Sequence, residues 1–418
     1  MLQTKGFKMA QYNTSTANAM FKINYYKPSE RLYNTADPLS GRLINKNDFT
    51  GRSRNLPTYK SYSGGVGSGS KPVGNVASYQ EATILRKKVY GTCEVDREAI
   101  KASENSAGAF VKATKEQVMK TVESYNRNKL RIILGNGGHA TAALDSAMSN
   151  GDGATNVTLA GTVFTVVLGS LFKESDWEEK DFVNYDSETT LLEVTEVNAA
   201  TKTVKLDGVS AGLTILAGAN PVPVNKYFYM QGSKGNDPIG FKAISDLVNG
   251  QTLYGVTVDR KWKMQVNDAL GQGIIIDALN ELLLQIEKKT GKVPNMLQCS
   301  YTQYVKILNL IEDQKTYNLP ARDSRFKAMV SFSGIEFMST KGPIPLFYNR
   351  FVEEDRIYAF NDNYIEIHHA PGFGWFDDDG TIFMRKSNGD DAYEATYGGY
   401  WNMYAQPTFH GCIKNLAI

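Results

Sequence analysis

The sequence predicts an α+β protein, and three observations carry that prediction. Val118, Val122, Tyr125, Ile132 and Ile133 recur at roughly helical spacing in a segment rich in Lys and Arg. Runs of β-branched and alternating residues fill 156–206 and return beyond Pro343. Between the strand-like segments Phe49–Lys60 and Ala82–Val95 lies the turn Ser61-Tyr62-Ser63-Gly64-Gly65-Val66-Gly67-Ser68-Gly69-Ser70, in which only Tyr62 and Val66 could enter a core. The chain has 418 residues, 42% hydrophobic and 22% charged, which is enough apolar material for roughly two or three cored domains.

Residues 1–48 show neither period and are rich in Asn, Ser, Thr and Tyr, so they form an extended arm. Tyr12, Phe21, Tyr25, Tyr26 and Tyr33 give that arm anchors for a surface. Residues 1–90 hold 14 Lys/Arg against 4 acids, a net of +10; the remaining 328 hold 32 against 40, a net of −8. A basic arm before an acidic body suits an acidic neighbour or nucleic acid. Residues 49–93 form a hairpin with limbs of about 18 residues, a projection on the order of 60 Å. A lone hairpin is marginal in water, so a projection that long lies against something. Arg52, Arg54, Lys60, Tyr62 and Lys71 are its candidate contact residues, joined by Arg86, Lys87 and Lys88 where the chain returns.

Glu94–Ala102 has the composition of a short helix, broken by Ser106-Ala107-Gly108. Thr114-Lys115-Glu116-Gln117 matches a capping box and opens a helix that Gly135 stops, about 20 residues or roughly 30 Å. Its apolar stripe and opposite charged face lay it on a sheet. The text from 156 to 230 is a β subdomain: Val157–Leu159, Val163–Leu168, Thr190–Val197 and Thr203–Leu206 are strands, and Asn198–Lys202 is a hairpin turn. Ile274–Lys289 is an amphipathic helix with Gly291 as its C-cap. Ser300-Tyr301-Thr302-Gln303 is a second capping box before Tyr304, Ile307, Leu308 and Ile311. Arg356–Phe360, Tyr364–His369, Thr381–Lys386 and Tyr400–Tyr404 are the late strands, with turns at Asp379-Gly380 and Asn388-Gly389.

Catalytic and cofactor motifs fail in turn. Gly67-Ser68-Gly69-Ser70-Lys71 runs into Pro72 and extended chain, whereas a phosphate loop opens a helix. Gly135-Asn136-Gly137-Gly138-His139 follows a helix, the wrong context for a dinucleotide fingerprint. His368 and His369 are adjacent on a strand and point to opposite faces, so they do not chelate one ion; a surface or subunit-contact role fits better. Asp377-Asp378-Asp379-Gly380 lacks the alternating ligands and distal Glu of a calcium loop. Cys93, Cys299 and Cys412 are widely spaced and odd in number, which implies reduced, buried thiols. No apolar run spans a membrane and no signal peptide stands at the N-terminus, so synthesis in a cytoplasm is expected. No cofactor, metal or enzymatic activity is expected. Trp177, Trp375 and Trp401 could stack on sugars in a glycan-binding or hydrolytic protein, but structural packing is the favoured role for those rings.

The order of these pieces resembles the major capsid protein of tailed bacteriophages, a fold shared with encapsulin shells and the floor of herpesvirus capsids. Val89-Tyr90-Gly91-Thr92-Cys93-Glu94-Val95-Asp96-Arg97-Glu98-Ala99-Ile100-Lys101-Ala102-Ser103 looks like that family's lead into its spine helix. Asp237-Pro238-Ile239-Gly240-Phe241-Lys242-Ala243-Ile244 looks like its passage to the axial domain. Gly291-Lys292-Val293-Pro294-Asn295-Met296-Leu297 and the pair Gly342–Phe347 with Arg356–Asn361 resemble its later strands. The likeness covers about residues 45–418.

The resemblance implies an N-terminal arm at 1–48, an extended hairpin or E-loop at 49–93, and a peripheral domain at 94–245 that includes the β subdomain. It then implies an axial domain at 246–345, a return to peripheral strands at 346–398, and a C-terminal axial strand at 399–418. It implies pentamers and hexamers closing into an icosahedral head around double-stranded DNA. The implied partners are other copies of the chain, a portal protein, and scaffolding and decoration proteins. DNA would be held by non-specific charge, in a virion made in a bacterial cytoplasm. A chain starting at Met1 with no helical segment before the arm implies a separate scaffold or none. Some relatives cross-link subunits through Lys and Asn, but Lys60 and Lys71 are too ordinary to carry that chemistry here. A nanocompartment shell of the same fold remains the alternative.

Overall fold

The computed structural model describes residues 39, 41–61, 78–96, 107–136, 156–168, 173–185, 190–209, 228–233, 235–313, 335–376, 384–385 and 392–418. Among these residues, three six-stranded sheets carry the architecture.

The first sheet is built on the strand Ala392–Ala405. It pairs antiparallel with Lys87–Asp96 along one stretch and with Ile365–His369 along another. Ile44–Lys46 adds in parallel to Ile365–His369 at the edge. The helix Ala107–Leu134 crosses this sheet, with Tyr125 packed edge-on to Tyr397 and tilted against Phe373. Gly398 lies under Tyr125 at φ +140°, where a Cβ would collide with the Val89 carbonyl.

This helix corrects the sequence reading. Its 28 residues start at Ala107, so Thr114 lies inside it and Ala107-Gly108 begin it instead of breaking a helix. One local cap competes with a longer run of helix-compatible residues, and continuous backbone hydrogen bonding prevails. The helix is therefore about 42 Å long. Glu94, Val95 and Asp96, expected in a short helix, end the strand Lys87–Asp96 opposite Ala392–Glu394. The rest of that expected helix lies outside the described residues.

The hairpin is also corrected. Ser53–Ser61 pairs with Ser78–Leu85, limbs of 9 and 8 residues. Their paired length is about 30 Å. Past Arg86 the chain changes partner and Lys87–Asp96 joins the first sheet. Extended text continues through Arg86, so the sequence shows one run where the fold uses two strands.

The second sheet is the β subdomain. Its order is Phe228–Met230, Phe182–Tyr185, Leu192–Asn198, Thr203–Asp207, Val163–Val167, Asn156–Ala160, all antiparallel. It has its own core of Phe164, Val166, Trp177, Val194, Leu206 and Phe228 with their neighbours. The expected turn is there: Asn198 Oδ1 accepts the Thr201 N–H at 3.1 Å, and Lys202 adopts φ +53°. Phe182–Tyr185 and Phe228–Met230 are two further strands that the sequence pattern does not delimit.

The third sheet runs Gln265–Asp268, Gly411–Lys414, Ile357–Phe360, Met296–Cys299, Gly342–Tyr348, Ile335–Ser339. The helix Ile276–Thr290 buries Leu279, Leu282, Leu283 and Ile286 in the core of this sheet and ends at Gly291, φ +69°. The helix Tyr301–Asp313 opens with half of the expected box. Ser300 Oγ accepts the Gln303 N–H at 3.3 Å, but the Gln303 amide reaches the carbonyls of Glu354 and Ala417. The sequence boundary at 346 falls inside the strand Gly342–Tyr348, and Ile357–Phe360 pairs here, not in the first sheet.

Candidate assembly surface

The hairpin is anchored at its inner end. Ala82 and Ile84 are fully buried, and the Thr83 N–H donates to the Tyr254 carbonyl at 2.7 Å. Farther out, Tyr59 and Tyr79 are 51% and 67% exposed. They face each other across the two strands with ring centroids 5.5 Å apart, edge to face. An exposed aromatic pair on a projecting limb has the chemistry of an interface anchor.

Among the described residues, the predicted contact residues have separate surroundings. Arg52 is exposed. Arg54 is committed within the chain, 2.8 Å from Asp48, whose other oxygen lies 2.7 Å from His368 Nδ1. The Arg86 guanidinium stacks over Tyr400 at 4.5 Å. Lys87 donates to the Gly235 carbonyl at 3.0 Å. Lys88 is exposed, 6.0 Å from the same Tyr400 ring. Tyr62 and Lys71 lie outside the described residues, as does the Lys60 side chain. Charge patterning does not single out Tyr59 and Tyr79; their direct pairing appears only once the register is known.

The histidines are not surface contacts. His368 is fully buried between Asp48 and Glu366, and His369 is 5% exposed with Nε2 on Asn45 Oδ1 at 3.2 Å. The two do point to opposite sides of their strand. Both pin the segment 44–49, which leads into the hairpin. Trp177 and Trp401 are buried and Trp375 is half-buried against Tyr397, so these three rings pack within the fold, the role the sequence favours for them. All three cysteines are free and buried. The acidic turn at 377–380 lies outside the described residues, which hold no metal-ligand cluster.

A buried ionic junction joins the β subdomain to the rest. Arg127 and Arg131, expected on a solvated helix face, are 5% and 4% exposed. Arg127 pairs with Glu178 and with Asp181 at 3.0 Å; Arg131 reaches Asp181 at 3.5 Å. Lys173 lies 3.3 Å from Asp176 and 3.6 Å from Glu353, which also takes Lys242 at 3.8 Å and the Tyr358 hydroxyl at 3.2 Å. Burial alone would push the Glu353 carboxyl up, but Lys173, Lys242 and Arg356 hold it down to about 2. At Asp176 burial prevails and the pKa is raised.

No protein-family model and no curated protein matches the chain. Solved structures do. One is a chain of the cyanophage A-1(L) capsid asymmetric unit, with a TM-score of 0.56 at 9% identity, over 97% of this chain and 100% of that one. Another is the SrpI encapsulin of Synechococcus elongatus, TM-score 0.46 at 9% identity, over 98% and 96%. A third is Gordonia phage Cozz, TM-score 0.45 at 11% identity, over 100% and 98%. The end-to-end likeness to the cyanophage chain establishes the fold: this is the phage major-capsid fold.

Proposed function

We propose that this chain is a structural major capsid protein, assembling with copies of itself into pentamers and hexamers of an icosahedral head around double-stranded DNA. The hairpin carries the reading. Its root is locked into the core while Tyr59 and Tyr79 project from it, exposed. On an E-loop, such a pair lands on a second copy of the chain. Each contact is small, and many of them sum to a stable lattice. The basic arm and the surplus of +10 over residues 1–90 suit acidic neighbours or packaged DNA. Portal, scaffolding and decoration proteins are the expected partners, and the virion is the expected location, after synthesis in a bacterial cytoplasm. The role is mechanical rather than enzymatic. Electron microscopy of the full chain, co-expressed with its neighbouring scaffold and portal genes, tests the reading. Closed shells are expected; dispersed subunits under those conditions overturn it.

A further inference from the structure

The third sheet presents unlike surfaces at the two ends of one helix. Its outer strand, Gln265–Asp268, pairs only with Gly411–Lys414 among the described residues. Between that strand and the first turns of the helix Ile276–Thr290 lies an open groove of about 390 Å³. Val266, Ile275, Ala278 and Leu416 line it with apolar surface, and the exposed Asp268 and Glu281 add two carboxylates. Leu270 stands beside it, 79% exposed, and Ile275 is 57% exposed. Leu270 is fixed at φ +52°: its N–H donates to Asp268 Oδ1 at 2.9 Å, and the Gly271 N–H to the Asn415 carbonyl at 2.8 Å. A leucine held there in water carries both backbone strain and uncovered apolar area. The far end of the helix is basic. Arg260, Lys261, Lys288 and Lys292 are exposed there. Lys289 Nζ donates to the Lys263 carbonyl at 2.9 Å and brings the 260–263 loop to the last turn. Asp259 and Glu287 are the acids beside these cations, which stay in excess.

We propose that neighbouring copies dock head to tail across this face, the basic helix end of one copy seated in the acidic, apolar groove of the next. The inference rests on the self-assembly proposed above and names a contact within it. Charge decides the occupant. The groove lining holds two carboxylates and, among the described residues, no Lys or Arg, while the opposite end holds the matching cations. Shape agrees. A lysine lays its methylene stem on apolar surface and keeps its ammonium at a polar rim. The Lys288 and Lys292 stems therefore cover Leu270 and Ile275 of the next copy while their heads reach its Asp268 and Glu281. The two surfaces lie about 22 Å apart along the 15-residue helix, so one copy cannot satisfy itself. Unlike surfaces make a heterologous contact, and such contacts close into rings when the rotation between copies allows.

The full chain is expressed with its neighbouring scaffold and portal genes, and shells are counted by electron microscopy. Glu281→Lys alone, and Lys288→Glu with Lys292→Glu, are each expected to cut shell yield about 5-fold or more, and all three together to recover most of it. These side chains are exposed, and melting temperatures check that the subunits fold. The contact is read directly with Ala278→Cys and Lys292→Cys in one chain. These positions stand at opposite ends of the helix, on the order of 20 Å apart, and a disulfide spans at most roughly 7 Å between Cα atoms, so a bridge joins two copies. The native cysteines are buried. A ladder of disulfide-linked dimers, trimers and larger species is expected on mild oxidation of assembled shells. Wild-type shells with no ladder, and with normal yield from both reversals, overturn the contact and leave the capsid reading standing. Normal shells that lose only their DNA in Lys288→Glu with Lys292→Glu assign the basic end to nucleic acid and overturn it as well. Dispersed wild-type subunits overturn the self-assembly and this contact with it.

Discussion

Three buried groups set how this protein meets acid. His410 is fully buried, its Nδ1 accepting the Asn361 N–H at 3.2 Å, and burial lowers its pKa from 6.5 to about 3. His369 falls from 6.5 to about 4 through burial, then Lys129 and His368. Glu353 falls from 4.5 to about 2 because its three cations outweigh burial. Each native pKa lies below its unfolded value, so the unfolded chain takes up protons first. The stability is present above about pH 6.5 and is lost as pH falls through the native values. Thermal melts should therefore drop below about pH 6, with His410→Gln flattening the upper part of that drop. Glu353→Gln leaves Lys173 and Lys242 facing a neutral amide. It should cost about 3–5 kcal/mol in urea unfolding near pH 7.

At the scale of elements, legibility follows whether a signal is local. The cap at Gly291 and the turn at Asn198–Lys202 are local, and both stand where the sequence places them. The helix start at Ala107 and the partner change at Arg86 depend on distant strands, so the local box at Thr114 points to a later start and Ala82–Val95 reads as one limb. Arg127 and Arg131 show the same limit: their charge implied solvent, while their acids sit some 50 residues on, at Glu178 and Asp181. Gly398 tests the crossing of helix and sheet. Gly398→Ala forces φ +140° and a collision with the Val89 carbonyl, and should cost about 2–3 kcal/mol. Gly273→Ala, with nothing within 4 Å and an ordinary φ, should cost less than about 0.5 kcal/mol. Equal melting temperatures for the two variants would show that the helix does not press on that strand. For the hairpin, deletion of Ser63–Ser70, or Tyr59→Ser with Tyr79→Ser, should leave a folded subunit that assembles poorly. Normal heads from either variant would remove the E-loop contact from the account.

For the whole molecule, the question is whether the β subdomain is an appendage or a joined part. Its separate core suggests an insertion that could be cut out. Its strands Asn156–Ala160 and Phe228–Met230 lie at opposite edges of the sheet, five strand spacings or about 24 Å apart. A flexible linker of roughly 15–20 residues would bridge that gap comfortably. The ionic junction argues against a clean excision. Cutting 156–230 removes Lys173, Asp176, Glu178 and Asp181 together, leaving Arg127 and Arg131 without their acids and Glu353 without one of its cations. Water reaching the opened surface would repay part of that loss, but the helix face was built to be covered. The linker variant is therefore expected to express poorly or melt well below the full chain. Adding Arg127→Gln and Arg131→Leu should recover part of the lost melting temperature. Full stability of the simple excision would make the subdomain an appendage. If the double substitution restores the fold, microscopy of its shells shows whether the subdomain also contributes to assembly.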